Sequence, residues 1–244
     1  SLTKAILSAE LSESDCQQWQ KELDTWQAEA DAYGIESFVM SLTALAQGWD
    51  YPPLQRVLQG EITQLGAWEG KAPDFADDLA KIRLSILERQ GRHEEYQYLA
   101  QAEGQTDLYL QMLAKLGRTE EAIAQAQQQM TTAAEAFTLA QTFREQGKLE
   151  HALSIAKQGL DLGGDGSYRL AIWTSELAED MDEEIAFQAR LQAFRLFPSL
   201  ADYLKVKELA GSQWKTLKTK LLKQLRQKTT LDDGAKVAIF LEEG

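Results

Sequence analysis

Three short segments of the chain repeat one another, and this repetition constrains the fold more than any other feature. GRHEEYQYLA (91–100), GRTEEAIAQA (117–126) and GKLEHALSIA (147–156) share a glycine, a basic residue, a glutamate three positions after the glycine, and then apolar and small positions. DMDEEIAFQA (180–189) is a weaker copy in which Asp180 replaces the glycine. The copies start 26, 30 and 33 residues apart. Self-similarity at this period predicts a solenoid of helix pairs, in which each pair buries its apolar face on the next.

The residue types of the motif suit a turn between two helices. The glycine predicts a left-handed helix end, because a residue without Cβ adopts that conformation at least cost. The acid pairs at 94–95, 120–121 and 183–184 then fall in the first turn of the next helix, where they face the positive end of its macrodipole. Ala122 and Ala152 occupy small positions like those of TPR units. We therefore predict an all-α chain, a right-handed α-α superhelix of TPR-like helix pairs.

The repeat pattern places the helix pairs along the chain from residue 74 to residue 244. We expect five full pairs, at about 74–103, 105–130, 132–162, 167–196 and 198–228. Pro198 suits the first turn of a helix. A sixth pair is expected to begin at Leu231 and to stop halfway, at Gly244. Since solenoids close with a polar capping repeat, the last repeat is interpreted as truncated and the chain as a fragment of a longer protein.

Residues 1–73 form a second predicted region, a helical hairpin followed by a connector rich in proline and glycine. Ser12 and Asp15 fit a capping box, and apolar residues recur at spacings of three and four on either side of Tyr33-Gly34. The connector, 48–73, contains three of the four prolines. Its apolar residues are expected to be buried: Leu54, Val57, Leu58, Ile62, Leu65 and Trp68. Core positions are likewise expected for Trp19, Trp26, Trp49 and Trp173.

The charge of the chain argues against broad binding to nucleic acid or to anionic lipid, because the net charge is −13. The 203–228 segment is nevertheless basic, and residues 202–228 hold eight Lys and Arg against two acidic residues. On the amphipathic helix expected there, the exposed cations are Lys215, Lys220, Lys223 and Arg226. A solvated face is the first interpretation. A phosphate-binding or acid-binding patch, and with it a nucleic-acid accessory module, stays open as the alternative.

Nothing in the sequence predicts catalysis, a metal site or a cofactor. Clustered ligands are needed for a metal, whereas His93 and His151 are far apart and each lies near an expected helix start. The acid pairs recur once per repeat, and a catalytic pair would occur once. Cys16 is the only cysteine, which favours a reducing, cytoplasmic compartment. No apolar run reaches the length of a membrane span, so no membrane partner is expected.

Residues 83–126, which begin RLSILERQGRHEEYQYLA, resemble the helical-repeat region of bacterial SWIM zinc-finger proteins. YGIESFVMSLTALAQGWDYPPLQRVLQG (33–60) and AFRLFPSLADYLKVKELAGSQW (193–214) are similar to the same region. The zinc element of that family, a Cys-x-Cys and a later Cys-x-His, has no counterpart here. The resemblance therefore implies a repeat scaffold that accompanies a zinc element located elsewhere.

The TPR-like pattern also predicts a binding face, because the first helix of each pair commonly lines the concave side of such an array. Counting from the glycines at 91, 117 and 147 places six polar residues on that side: Lys81, Ser85, Gln111, Lys115, Gln141 and Arg144. Their mixed polar character suits an extended peptide or another protein. The sequence thus predicts a non-catalytic scaffold for protein–protein interaction.

Overall fold

The computed structural model describes residues 1–34, 38–62, 65–227 and 233–243, and every regular element within them is helical. The α-helices are α1 (Leu2–Ser8), α2 (Glu13–Asp31), α3 (Val39–Gln47), α4 (Pro52–Leu58), α5 (Ala76–Arg89), α6 (His93–Ala102), α7 (Thr106–Lys115), α8 (Thr119–Gln129), α9 (Ala133–Glu145), α10 (Leu149–Leu160), α11 (Ser167–Ala178), α12 (Glu183–Leu196), α13 (Leu200–Ala210), α14 (Trp214–Gln227) and α15 (Asp233–Glu243). None of these helices combines the length and the apolar character needed to cross a membrane.

The chain divides into two compact units, Ser1–Met112 and Leu113–Gly244. In the first unit α1 packs on α3 and α5, α2 on α3, and α6 on both α4 and α5. Its core includes Leu7, Ala44, Trp68 and Leu79. The two helices of the predicted hairpin, α2 and α3, pack on each other, and the capping box of Ser12 and Asp15 begins α2 as expected.

The exposed aromatic residues of α2 correct one prediction. Trp19 and Trp26 are 36% and 37% exposed, so they are not core residues. They contact each other edge to face, with ring centroids 6.4 Å apart, and Trp26 also contacts Phe38 at 5.8 Å. Only Leu23 and Gln27 of α2 are buried, because the shorter α3 covers a narrow strip of it.

A carboxylate just after the end of α6 holds the part of the connector around Ala67 and Trp68. Glu103 accepts hydrogen bonds from the backbone N–H of Ala67 (2.6 Å) and from the indole Nε1–H of Trp68 (3.0 Å). Leu54, Val57, Leu58 and Trp68 are buried as expected. Ile62 and Leu65 are 46% and 57% exposed, which contradicts the prediction for these two. They lie after the end of α4, outside the part of the connector that Glu103 fixes.

The second unit is a succession of packed helices. α9 packs on α10, α10 on α11, α11 on α12 and α12 on α13, and α9 also contacts α11. Gly159 of α10 allows this close approach, because a Cβ there would lie 2.2 Å from the Cβ of Ala136 and 2.8 Å from Leu170 Cδ2. α14 and α15 pack on α13 and complete a core that contains Tyr203, Leu221, Leu225 and Ile239.

The turns within the predicted helix pairs have the expected chemistry. Gly91, Gly117 and Gly147 have φ values of 71°, 77° and 74°, in the left-handed region. The glutamate pairs at 94–95, 120–121 and 183–184 lie in the first turns of α6, α8 and α12. The boundaries of α5 to α14 follow the five predicted pairs within a few residues. The expected start of a sixth pair at Leu231 lies outside the described residues, which resume with α15.

Candidate functional site

A groove of about 540 Å³ opens on the second unit, along α11 and its neighbours α9 and α13. We call it the α11 groove and define it by its lining residues. They are Phe137 and Gln141 of α9, Tyr168, Arg169, Ile172, Trp173 and Glu176 of α11, Arg190 of α12, and Ser199, Ala201 and Asp202 at the start of α13. Three helices that each begin a predicted pair therefore provide most of its surface.

The floor of the groove is aromatic and rigidly packed. Phe137 and Trp173 are 7% and 9% exposed, and their rings meet edge to face at 5.6 Å. This is the core position expected for Trp173. Gly159 lets α9, α10 and α11 approach closely, and this approach brings the rings of Phe137 and Trp173 into contact.

Two arginines cover these rings. The guanidinium carbon of Arg169 lies 4.1 Å from the ring centroid of Phe137, and that of Arg144 lies 5.7 Å from the ring centroid of Trp173. Both arginine side chains are exposed. Among the described residues neither guanidinium has a carboxylate within 4 Å, so each charge is held by an aromatic face and is open to a ligand.

A buried ion pair supports one wall of the groove. Arg190 donates from Nη1 to Asp202 Oδ1 at 3.0 Å and from Nε to Ser175 Oγ at 3.3 Å. Asp202 also accepts hydrogen bonds from the hydroxyls of Tyr168 (2.9 Å) and Ser199 (2.7 Å). With four hydrogen bonds in one network, α11, α12 and α13 are joined at the groove.

The same network keeps Tyr168 protonated. Partial burial raises the pKa of its phenol, and the hydrogen bond to Asp202 and the charge of Asp202 raise this pKa further, although the charge of Arg190 opposes them. Tyr168 is thereby a fixed donor to Asp202, and its ring meets Phe197 edge to face at 5.4 Å.

Glu176 is the remaining acid of the groove. Its side chain is 61% exposed and its Oε1 lies 3.6 Å from Arg190 Nη2. The lining of the groove thus contains two cations, Arg169 and Arg190, and two anions, Glu176 and Asp202. Arg144 at its edge adds a third cation, so the groove and its edge together carry one net positive charge in a chain whose net charge is −13.

Two of the six residues predicted for the binding face lie in this groove or at its edge. Gln141 lines it, and Arg144 covers the ring of Trp173 at its edge. Lys81 is exposed on α5, whereas Ser85, one turn later, is half-buried and donates to the carbonyl of Ile82 at 2.8 Å. On α7, Gln111 is half-buried and Lys115 is exposed. For these four residues a binding role stays a prediction.

The predicted basic residues lie on α14, and we call them the α14 basic face. Lys215, Lys220, Lys223 and Arg226 are all exposed. The apolar side of the helix is covered, with Leu221 and Leu225 buried. Arg226 lies over the ring of Phe240 at 5.3 Å, and no carboxylate of the described residues lies within 4 Å of the three lysines.

The potential metal ligands stay dispersed. Among the described residues no three His, Cys, Asp or Glu side chains cluster in a way that could hold a metal ion. His93 and His151 lie at the starts of α6 and α10, where both are half-buried instead of fully at the surface. Cys16 is a half-buried free thiol on α2.

Several residues of the groove were not identified from the sequence, namely Phe137, Tyr168, Arg169, Arg190 and Asp202. One signal was available. Phe137, Gln141 and Arg144 have the same spacing as Arg169, Trp173 and Glu176, 32 residues later, so two helices present matched faces. That alignment would have paired Phe137 with Arg169, which contact each other in the structure.

Comparisons of the chain with protein-family models, with curated proteins and with solved structures gave no match. The resemblance to SWIM zinc-finger proteins therefore stays a prediction from the sequence.

Proposed function

We propose that this chain is a non-catalytic helical-repeat scaffold that binds another protein through an extended segment. The α11 groove carries the proposal. It is an open, aromatic-floored surface with cations at its rim and polar groups along it. Small-ligand sites are concave and enclose most of their ligand, whereas a groove along several helices suits a length of polypeptide.

The wider architecture that we propose is a TPR-like, right-handed superhelix over residues 74–244, with residues 1–73 as an N-terminal region. Two observations support it. Successive helices of the second unit pack on one another, and three turns share a left-handed glycine before a helix that begins with acidic residues. We further propose a cytoplasmic role and membership of a larger SWIM-type protein.

Under this proposal the first helix of each pair supplies the binding face. Gln141 and Arg144 act at the α11 groove, and Lys81, Ser85, Gln111 and Lys115 are the proposed binding residues of α5 and α7. The partner is a protein or peptide.

Affinity capture with the whole chain as bait tests the proposal. We would compare the wild type with a variant in which the six predicted residues are replaced by alanine. A matched control replaces four exposed residues on the second helices of two pairs: Gln127, Gln128, Ser154 and Lys157. Circular dichroism would establish that both variants fold. Partners that the control retains and the six-residue variant loses are the expected result. Retention of every partner by the six-residue variant rejects the groove.

The α14 basic face supports a second candidate function, a nucleic-acid accessory module. Its lysines are exposed and have no described carboxylate within 4 Å, as the phosphate-binding alternative needs. Such binding would be weak and steeply dependent on salt. Electrophoretic mobility shifts at low salt would show it, and charge reversal of Lys215, Lys220, Lys223 and Arg226 should abolish it. Absence of any shift at low ionic strength removes this candidate.

A further inference from the structure

We propose that the α11 groove recognises acidic side chains of its polypeptide partner through Arg144 and Arg169. The inference rests on the proposed function and specifies the chemistry of the partner, a segment that carries several Asp or Glu residues among apolar ones.

The first step is the state of the two guanidinium groups. Each lies over an aromatic ring, Arg169 over Phe137 and Arg144 over Trp173, at 4.1 Å and 5.7 Å. Neither guanidinium has a carboxylate of the described residues within 4 Å, and the N–H donors of a guanidinium match the two oxygens of a carboxylate. The rings also restrict the side chains in advance, which lowers the entropy lost on binding.

The second step is the charge of the surroundings. The carboxylate of Asp202 is occupied by Arg190, Tyr168 and Ser199, and it is only 3% exposed. Glu176 leans toward Arg190, at 3.6 Å. Arg144, Arg169 and Arg190 thus face only these two anions, which leaves one net positive charge at the groove and its edge. In a chain of net charge −13 such a positive groove favours binding of an acidic partner and repels a basic one.

The third step is the apolar component. The rings of Phe137 and Trp173, together with the half-buried Ile172, form the floor beneath the two cations. A peptide with alternating acidic and apolar residues would place its apolar side chains on this floor and its carboxylates at the rim. Phosphate groups would also pair with the two arginines, but the backbone of a nucleic acid has no apolar side chains to place on this floor.

An array of end-blocked dodecapeptides tests the inference. All peptides have the same leucine content and carry zero, two or four glutamates, with glutamine at the other polar positions. Blocked ends exclude recognition of a terminal carboxylate. Binding of the full chain would be measured by fluorescence anisotropy. We expect affinity to rise with the number of glutamates, and to fall as salt screens the charges.

The variants assign the effect to the two arginines. R144Q with R169Q should weaken binding of the four-glutamate peptide about 10- to 100-fold, because a hydrogen bond to a charged group is worth about tenfold. The affinity for the all-glutamine peptide should not change. R144K with R169K should give an intermediate loss, since lysine keeps the charge without the planar fork. The control, K157Q, removes an exposed cation from α10 and should have no effect.

The outcomes separate this inference from the function on which it rests. Peptides that bind equally well with glutamine in place of glutamate overturn the acidic preference and leave the peptide groove intact. An equal loss with K157Q shows a general charge effect and also overturns it. Stronger competition by a single-stranded oligonucleotide overturns it in favour of phosphate. If no peptide binds at all, the α11 groove is not a peptide-binding site, and the inference is overturned together with the proposed function.

Discussion

The two compact units of the chain bury an arginine in different ways. In the first unit Arg83 is 2% exposed, and it donates to uncharged acceptors, Gln47 Oε1 at 2.8 Å and the carbonyl of Gly48 at 3.5 Å. In the second unit Arg190 is 8% exposed and is paired with a carboxylate, that of Asp202. Arg190 therefore has a direct counter-ion, whereas no carboxylate of the described residues is paired directly with Arg83.

The difference affects the ionisation of Arg83. Burial lowers the pKa of the Arg83 guanidinium to about 10, and the charge of Glu103 opposes this shift only in part. Acceptors without charge thus compensate the buried group incompletely.

The comparison also explains where the free positive charge of the second unit lies. Since Asp202 already neutralises Arg190, the charge of the α11 groove comes from Arg144 and Arg169 at its rim. Arg83 contributes to packing within the first unit. Arg190 instead holds one wall of the α11 groove in place, and Arg144 and Arg169 stay available to bind a ligand there.

The largest effect is expected from R190M. Removal of Arg190 leaves Asp202 buried with only two hydroxyl donors, and breaking a buried pair in this way costs about 3–5 kcal/mol. Methionine retains much of the side-chain volume of arginine, so the loss in the free energy of unfolding reflects the missing charge more than poorer packing. Urea unfolding followed by circular dichroism measures it. A loss below about 1 kcal/mol would contradict the structural role of the pair.

The next effect concerns the packing that brings Phe137 and Trp173 together. G159A adds a methyl group 2.2 Å from the Cβ of Ala136, so α9 and α10 must move apart. Overpacking of this kind costs about 1–3 kcal/mol. Thermal unfolding of G159A should show the loss. An unchanged midpoint would mean that the helices are not held as closely as described.

A smaller effect is expected from R83M, and it tests the comparison itself. The substitution leaves behind an amide and a carbonyl on two half-buried residues, Gln47 and Gly48, which water can reach. We expect a loss of about 1 kcal/mol in urea unfolding, the scale of an ordinary hydrogen bond. If R83M costs as much as R190M, the two buried arginines do not differ in the way proposed.

The smallest effect is expected from E176Q, and it has the opposite sign. Glu176 is 61% exposed and adds negative charge to the groove. Its neutralisation should strengthen binding of the four-glutamate peptide about two- to fivefold, in the range of an exposed charge interaction. Fluorescence anisotropy measures the change. Weaker binding by E176Q would show that the carboxylate itself contacts the ligand.

Local features of the fold could be predicted from the sequence because they depend on local physics. The glycines at 91, 117 and 147 end helices in the left-handed conformation, as expected. Ser12 and Asp15 form the expected capping box at the start of α2. These outcomes require only backbone sterics and hydrogen bonds within a few residues.

Features that depend on neighbouring elements could not be predicted in the same way. Trp19 and Trp173 both lie on apolar faces of helices, yet Trp19 is 36% exposed and Trp173 is 9% exposed. The exposed fraction of each tryptophan depends on how much of its helix is covered by neighbouring helices. The pairing of Arg190 with Asp202 likewise depends on how α12 packs on α13. Gln141 and Arg144 were predicted for the binding face by counting from Gly147, whereas that counting did not point to Arg169 or Asp202.

Photo-crosslinking of a bound peptide tests the central claim most directly. A four-glutamate dodecapeptide with a photoreactive leucine analogue would be crosslinked to the whole chain, and the modified residues identified by mass spectrometry. We expect crosslinks on α9, α11 and the start of α13, and their loss in the R144Q and R169Q double variant. Crosslinks confined to the α14 basic face, or to Trp19 and Trp26 of α2, would contradict the α11 groove as the binding site.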